Sequence, residues 1–275
     1  NYLSKDSNLF IYSDGPKNNS EVNTIGEIRS YLKTINGFKS ISVVERAENN
    51  GLANSIILGV TEILESHKKI IVMEDDLISS PNFLTYMNTA LNFYKDNKNI
   101  FSVSGYNYPI SIPEKYKDSV YVAYRCSSWG WGTWLDRWMK ADWEVNDYKN
   151  FLSNPDEQKK FGRGGEDLVD MLEYQMKNYI DSWAIRWCYA HYKHNAYCLY
   201  PTVSKIKNIG LDRSGTHRTK MKIDVKLDTS SVKFSFPKSI VSNEEVLSNF
   251  SVYFKKSLKS KILKKVKGFI FYYLK

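Results

Sequence analysis

Apolar and polar positions follow two alternating patterns along the first hundred residues. Short apolar runs have the length of buried strands, and the longer segments between them place apolar residues three and four positions apart, as on one face of a helix. The predicted strands are residues 8–15, 40–46, 68–75 and 99–106, and the predicted helices are residues 21–35, 50–67 and 79–96. Strands separated by helices are typical of parallel βαβ units, so we expect an α/β fold that binds its ligand at the carboxyl ends of the strands.

The rest of the chain is less regular. Residues 107–165 are rich in loops, a helix is predicted at 166–179, and residues 188–206 predict a helix followed by a strand. Residues 1–10 fit two interpretations. They are either the end of a helix, in which case the chain lacks the first strand–helix unit of such a sheet, or a variable tail. We divide the chain into two halves of one domain, 1–106 and 107–250, and a tail, 251–275.

Composition and charge narrow the possible partners. The chain has 275 residues, 42% hydrophobic and 25% charged, which is typical of a globular protein with a substantial core. Its net charge is +9, but the tail holds eight lysines and no acid, so residues 1–254 are close to neutral. Nucleic-acid binding by the main domain is therefore not expected. No apolar run reaches the length of a membrane span, and no signal peptide is evident.

The tail itself predicts a basic amphipathic helix. Its apolar residues fall on one helical stripe with lysines over most of the remaining surface, which favours attachment to an anionic membrane surface. A terminal helix docked on the domain, with solvated lysines, is the alternative. The three cysteines form no metal-binding pattern; we expect ordinary half-buried thiols in a reducing compartment.

Three consecutive acids, Glu74, Asp75 and Asp76, end the third predicted strand. Adjacent carboxylates repel one another unless a positive charge compensates them. Such a group is suited to Mg²⁺ or Mn²⁺, which prefer oxygen ligands and complete their coordination with water and phosphate. Helix capping ahead of the segment SSPN and a solvated turn are the alternatives.

The segment around these acids resembles a known family. IIVMEDD, the SSPNF helix, the WGWGTW segment and DSW are similar to GT-A fold glycosyltransferases related to N-acetylglucosaminyltransferase I, and the wider chain resembles bacterial enzymes that build surface polysaccharides. The resemblance covers about residues 8–218. It implies a GT-A fold, with a mixed, mainly parallel sheet, and Asp76 as the direct metal ligand. Glu74 and Asp75 would then face the ribose and the hydrated metal.

The resemblance also implies further donor contacts. Asp14 would recognise a uracil-type base, and the loop around Asn50 and Gly51 would lie against the donor diphosphate. A turn-capping role for Asp14 and a helix-entry role for Gly51 are equally good readings. In the segment IGLDRSGTH, Arg213 would reach the phosphates and His217 would touch the metal or the diphosphate; an ordinary basic loop is the alternative.

Four tryptophans lie within residues 129–138. Indole rings stack on the faces of sugar rings, and they also fill cores. Trp134 and Trp138 are four apart on a predicted helix, which favours the core. Trp129 and Trp131 lie in a glycine-rich turn and are expected to wall the donor pocket.

An inverting transfer needs one carboxylate to accept the proton of the acceptor hydroxyl. The segment YIDSW resembles the stretch that supplies this base in the family and points to Asp181. Glu166 and Asp167 resemble the pair that supplies it in other GT-A enzymes and remain alternatives. A base that works near neutral pH needs partial burial, which Tyr179 and Trp183 would provide.

The sequence thus predicts a metal-dependent inverting glycosyltransferase. Its donor would be a nucleotide sugar, UDP-linked, and its acceptor a glycan or a lipid-linked sugar at the inner face of the plasma membrane. A sugar-nucleotide nucleotidyltransferase and a non-catalytic carbohydrate-binding protein are the competing hypotheses.

Overall fold

The computed structural model describes residues 3–210, 225–229 and 233–255, which form a mixed α/β fold. The strands are β1 (Asn8–Ser13), β2 (Ser40–Glu45), β3 (Lys69–Val72), β4 (Leu77–Ser79), β5 (Ile100–Ser104), β6 (Val120–Ala123), β7 (Trp131–Trp134), β8 (Tyr197–Pro201) and β9 (Ile206–Asn208). The helices are α1 (Val22–Leu32), α2 (Leu52–His67), α3 (Phe83–Phe93), α4 (Leu135–Trp138), α5 (Tyr148–Leu152), α6 (Pro155–Phe161), α7 (Leu168–Met176), α8 (Trp183–Lys193) and α9 (Glu244–Tyr253).

The predicted strands and helices of the first hundred residues are all present, but the expected mainly parallel sheet is not. The central sheet has the order β3-β7-β5-β8-β6, and three of its four pairings are antiparallel. The difference comes from β6 and β7, which lie in the segment that we expected to be rich in loops. Both run against β3, β5 and β8, and β7 inserts between β3 and β5. The sheet is therefore mixed.

Two smaller sheets lie beside the central one. β1 and β2 form a parallel pair, as the βαβ pattern predicts, and β4 pairs with β9 in antiparallel orientation. Helix α2 connects β2 to β3 and packs against β3. Its glycine at position 59 faces the ring of Tyr12 on β1 at close range, so α2 contacts both sheets.

The N-terminal lobe, residues 8–45, is less buried than the centre of the molecule. Among the described strands, β1 pairs with β2 alone and β3 with β7 alone, so both have an open edge. Helix α1 buries no residue fully, and Val22, Ile28 and Tyr31 on its surface are 49%, 46% and 69% exposed. By contrast, every residue of β5, β6 and β7 is buried.

Aromatic rings fill much of the core. Trp131 on β7 stacks against Trp138 at 5.7 Å and against Trp183 at 4.9 Å between ring centroids. Helix α9 packs on this same face of the sheet, where Phe250 contacts Tyr121 and Tyr200, and α3 covers the opposite face.

The described chain ends two residues after α9. Most of the predicted amphipathic tail, from residue 256 onward, therefore lies outside the described residues. None of the helices in the described ranges is long and apolar enough to cross a membrane.

Candidate functional site at the strand ends

The three acids form a turn, which we call the acid turn (Glu74, Asp75 and Asp76), between β3 and β4. The strand ends earlier than predicted, at Val72, so all three acids lie outside it. The pairing of β4 with β9 holds the turn against the segment that follows β9: the backbone N–H of Ile209 donates to the carbonyl of Asp76 at 2.9 Å.

The two carboxylate oxygens of Asp76 differ. Oδ2 accepts a hydrogen bond from Nδ2 of Asn208 at 3.1 Å, whereas Oδ1 is buried and has no hydrogen-bond partner within the described residues. A side chain at Gly210 would collide with this carboxylate, so glycine permits the close approach of the two segments. An acceptor that is both buried and unpaired costs free energy unless a ligand satisfies it.

Among the residues that the structure describes, the acid turn is also short of positive charge. No lysine or arginine in the described part of the chain forms an ion pair with its carboxylates. Burial, followed by the charges of Asp76 and Asp75, raises the pKa of Glu74 to about 7. Asp75 is exposed. The site therefore favours a cation.

No three His, Cys, Asp or Glu side chains among the described residues lie close enough together to hold a metal ion. The resemblance, however, implies a single direct protein ligand, Asp76. Its unpaired Oδ1 fits that role, because Mg²⁺ and Mn²⁺ take the rest of their ligands from water and phosphate oxygens.

A second polar group follows β1 and β2, whose parallel pairing brings their carboxyl ends together. The carboxylate of Asp14 accepts hydrogen bonds from the backbone N–H of Asn50 at 3.0 and 3.1 Å. Gly51 has a φ of 76°, which favours glycine, and starts α2. Asp14 thus supports the turn, and Gly51 serves as the helix-entry residue; both roles are compatible with contact to a donor.

Asp181 joins this group from a distant part of the chain. Its Oδ2 accepts the backbone N–H of Ala53, in the first turn of α2, at 3.2 Å. The side chain therefore caps α2 and stands next to Gly51. The expected burial is not found: Asp181 is exposed, Tyr179 is 72% exposed, and Trp183 is turned into the core.

The alternative acids have different surroundings. Asp167 forms a two-pronged ion pair with Arg125, with distances of 2.8 and 3.0 Å, and Arg125 also lies over the ring of Phe254 at 4.0 Å. Arg125, in the segment before β7, thus links Asp167, just before α7, to Phe254, just after α9. Glu166 is partly buried next to this pair.

The register of the sheet brings the acid turn and the tryptophan segment to one edge. Trp131 pairs with Val72 at the end of β3 and with Ser104 at the end of β5. Trp129, just before β7, is partly exposed and packs edge-on against Tyr106 at 4.6 Å. Gly130 has a φ of 61°, and a side chain there would meet Ile206.

The expectation for Trp131 needs correction. Trp131 has no exposed surface and lies in the core, as Trp134 and Trp138 do. The glycine neighbours of Trp131 predict a turn, but the residue belongs to β7, where the missing side chain of Gly132 leaves room for Leu91 and Met87. Trp129 alone of the two remains a candidate pocket wall.

Two predicted donor contacts, Arg213 and His217, lie outside the described residues. Sequence reasoning missed Asn208, which orients Asp76, and Arg125, which anchors the segment before Trp129. The sequence gives a weak indication of a role for Asn208, because this residue lies between the predicted strand that ends at residue 206 and Gly210 of the predicted loop. The sequence gives no such indication for Arg125, whose role follows only from the fold.

This chain matches no protein-family model and no curated protein.

Proposed function

We propose that this chain is a metal-dependent inverting glycosyltransferase of the GT-A type, with a UDP-linked sugar as donor. The observation that carries the proposal is Asp76, whose carboxylate is oriented by Asn208 and keeps one buried oxygen that has no hydrogen-bond partner among the described residues. Within the part of the chain that the structure describes, no lysine or arginine forms an ion pair with the acid turn around it. A divalent cation with a diphosphate is the ligand that best satisfies both conditions.

In this proposal Asp76 holds Mn²⁺ or Mg²⁺, which would neutralise the diphosphate leaving group. The turn of Asp14, Asn50 and Gly51 would lie along the nucleotide, with its backbone against the diphosphate. Trp129 offers a partly exposed indole face to the donor sugar.

Asp181 is the proposed base. It stands beside Gly51, whereas Asp167 is committed to its ion pair with Arg125. Asp181 would accept the proton of the acceptor hydroxyl as that oxygen bonds to the anomeric carbon and the bond to the diphosphate breaks. The acceptor class, a bacterial surface glycan or lipid-linked sugar reached from the membrane surface through the basic tail, belongs to the same proposal.

The test is a panel of nucleotide sugars incubated with the protein and Mn²⁺, with release of the nucleoside diphosphate as readout. We expect slow hydrolysis of at least one UDP-sugar, abolished by a chelator and by Asp76→Asn. The matched control, Asp96→Asn, changes an exposed acid after α3 and should keep the wild-type rate. Equal release with and without the metal would contradict the proposal, as would no release from any donor.

A further inference from the structure

Two cysteines far apart in the sequence are in contact in the core. Cys126 lies in the segment between β6 and β7, and Cys188 lies in the middle of α8. Their sulfur atoms are 3.0 Å apart, and both residues are buried, at 4% and 3% exposure. A disulfide has a sulfur–sulfur distance of about 2.05 Å, so the bond requires a closure of about 1 Å.

The surroundings make one of the two sulfurs the better nucleophile. The hydrogen bond between the thiols of Cys126 and Cys188 lowers the pKa of Cys188; the guanidinium of Arg125 acts in the same direction, and burial opposes both. The backbone N–H of Cys126 also points at Sγ of Cys188, at 3.4 Å. Because the thiolate is the reactive form, Cys188 is the expected point of attack.

We propose that Cys126 and Cys188 form a reversible disulfide when the protein meets a peroxide. The sulfur of Cys188 attacks one oxygen of hydrogen peroxide, the O–O bond breaks, and hydroxide leaves, which gives a sulfenic acid on Cys188. The sulfur of Cys126 then attacks the sulfur of Cys188. The S–S bond forms, the S–O bond breaks, and the sulfenic oxygen leaves as water with the proton of the Cys126 thiol.

The bond would tie together two parts of the candidate site. Cys126 stands three residues before Trp129, and Cys188 belongs to the helix that follows Asp181. The two cysteines are 62 positions apart, so the link would also restrict the unfolded chain and raise the thermal midpoint. This inference does not depend on the proposed function.

The experiment treats the reduced protein with a slight excess of hydrogen peroxide, removes the peroxide, and alkylates the free thiols in denaturant. We expect the number of thiols that react to fall from three to one and to return to three after reduction. Digestion without reductant should yield one cross-linked pair of peptides, carrying Cys126 and Cys188. The thermal midpoint should rise on oxidation.

Variants supply the controls. Cys198→Ala removes the third cysteine and should leave the cross-link intact, whereas Cys126→Ala and Cys188→Ala should abolish it. The peptide map of the wild-type protein decides the question even if a variant does not fold. Three reactive thiols after oxidation, a bond that includes Cys198, or a sulfinic acid on Cys188 without a cross-link would each overturn the proposal.

Discussion

At the scale of single residues, the carboxylate of Asp76 is the feature that best indicates a ligand site. One oxygen is fixed by a side chain 132 positions away, and the other is buried and has no hydrogen-bond partner in the described ranges. A buried acceptor that loses its hydrogen bond costs about 1–3 kcal/mol. A protein tolerates such a cost where a ligand later removes it, which is why this oxygen marks the site more clearly than the presence of three acids does.

Glu74 gives a pH-dependent prediction. In the metal-free protein its carboxyl ionises at about pH 7, against 4.5 for its ordinary value, so ionisation is disfavoured in the folded state. The wild type should therefore lose stability as the pH rises from 4.5 to 7. Since Glu74→Gln removes this charge, we expect a higher free energy of unfolding at pH 8, by about 3 kcal/mol, and no difference below pH 4.5.

Urea unfolding across this pH range, with a chelator present, measures the effect. Glu65→Gln, which changes an exposed acid on α2, should follow the wild-type curve. A Glu74→Gln variant with the same pH dependence as the wild type would show that Glu74 is not strained by its neighbours.

Asp181 gives a prediction on catalysis. Asparagine caps a helix about as well as aspartate, so Asp181→Asn should keep α2 and the UDP affinity intact. Since the amide accepts no proton, turnover should fall by about 100-fold or more. Steady-state rates of UDP release, together with UDP affinity, check both parts; a turnover close to that of the wild type would exclude Asp181 as the base.

At the scale of elements, the sequence predicted those parts whose pattern is local. The amphipathic helix α2 and the apolar strands β3 and β5 follow from periodicity alone. β7 was missed because its glycine and tryptophan residues resemble a turn, and its strand conformation depends on β3 and β5 on either side. Likewise, the contact of Asn208 with Asp76 depends on the pairing of β4 with β9. This pairing could not be predicted, because a strand of three residues leaves no clear pattern in the sequence.

Trp129, just before β7, and Trp131, the first residue of β7, should differ in how much they contribute to the free energy of unfolding. Trp131→Ala removes a fully buried indole between two other tryptophans and should lower the free energy of unfolding by about 3–5 kcal/mol. Trp129→Ala removes a partly exposed ring and should cost clearly less. Urea unfolding of both variants measures the difference, and equal losses would contradict the assignment of Trp131 to the core.

At the scale of the whole molecule, the structure is unevenly packed. Strands β5, β6 and β7 of the central sheet are completely buried, whereas the N-terminal lobe has an open edge on β1 and exposed apolar residues on α1. This difference could not be predicted from the sequence, because α1 has the same amphipathic pattern as a well-buried helix.

Hydrogen exchange should reveal this difference. We expect the backbone amides of β1, α1 and β2 to exchange much faster than those of β5 and β8, since sparsely buried segments open at low cost. Mass spectrometry of peptides from the exchanged protein measures both regions in one experiment. Equal protection in the two regions would contradict the description of the lobe as the less stable part.

Metal-dependent binding of UDP tests the central claim most directly. Isothermal titration of the wild type with UDP should show binding with Mn²⁺ and at least tenfold weaker binding with a chelator. Asp76→Asn should lose the metal-dependent part, and Asp96→Asn should retain it. This is the pattern that a metal held by Asp76 predicts. A wild type that does not bind UDP, or that binds it equally well with and without Mn²⁺, would contradict the central claim.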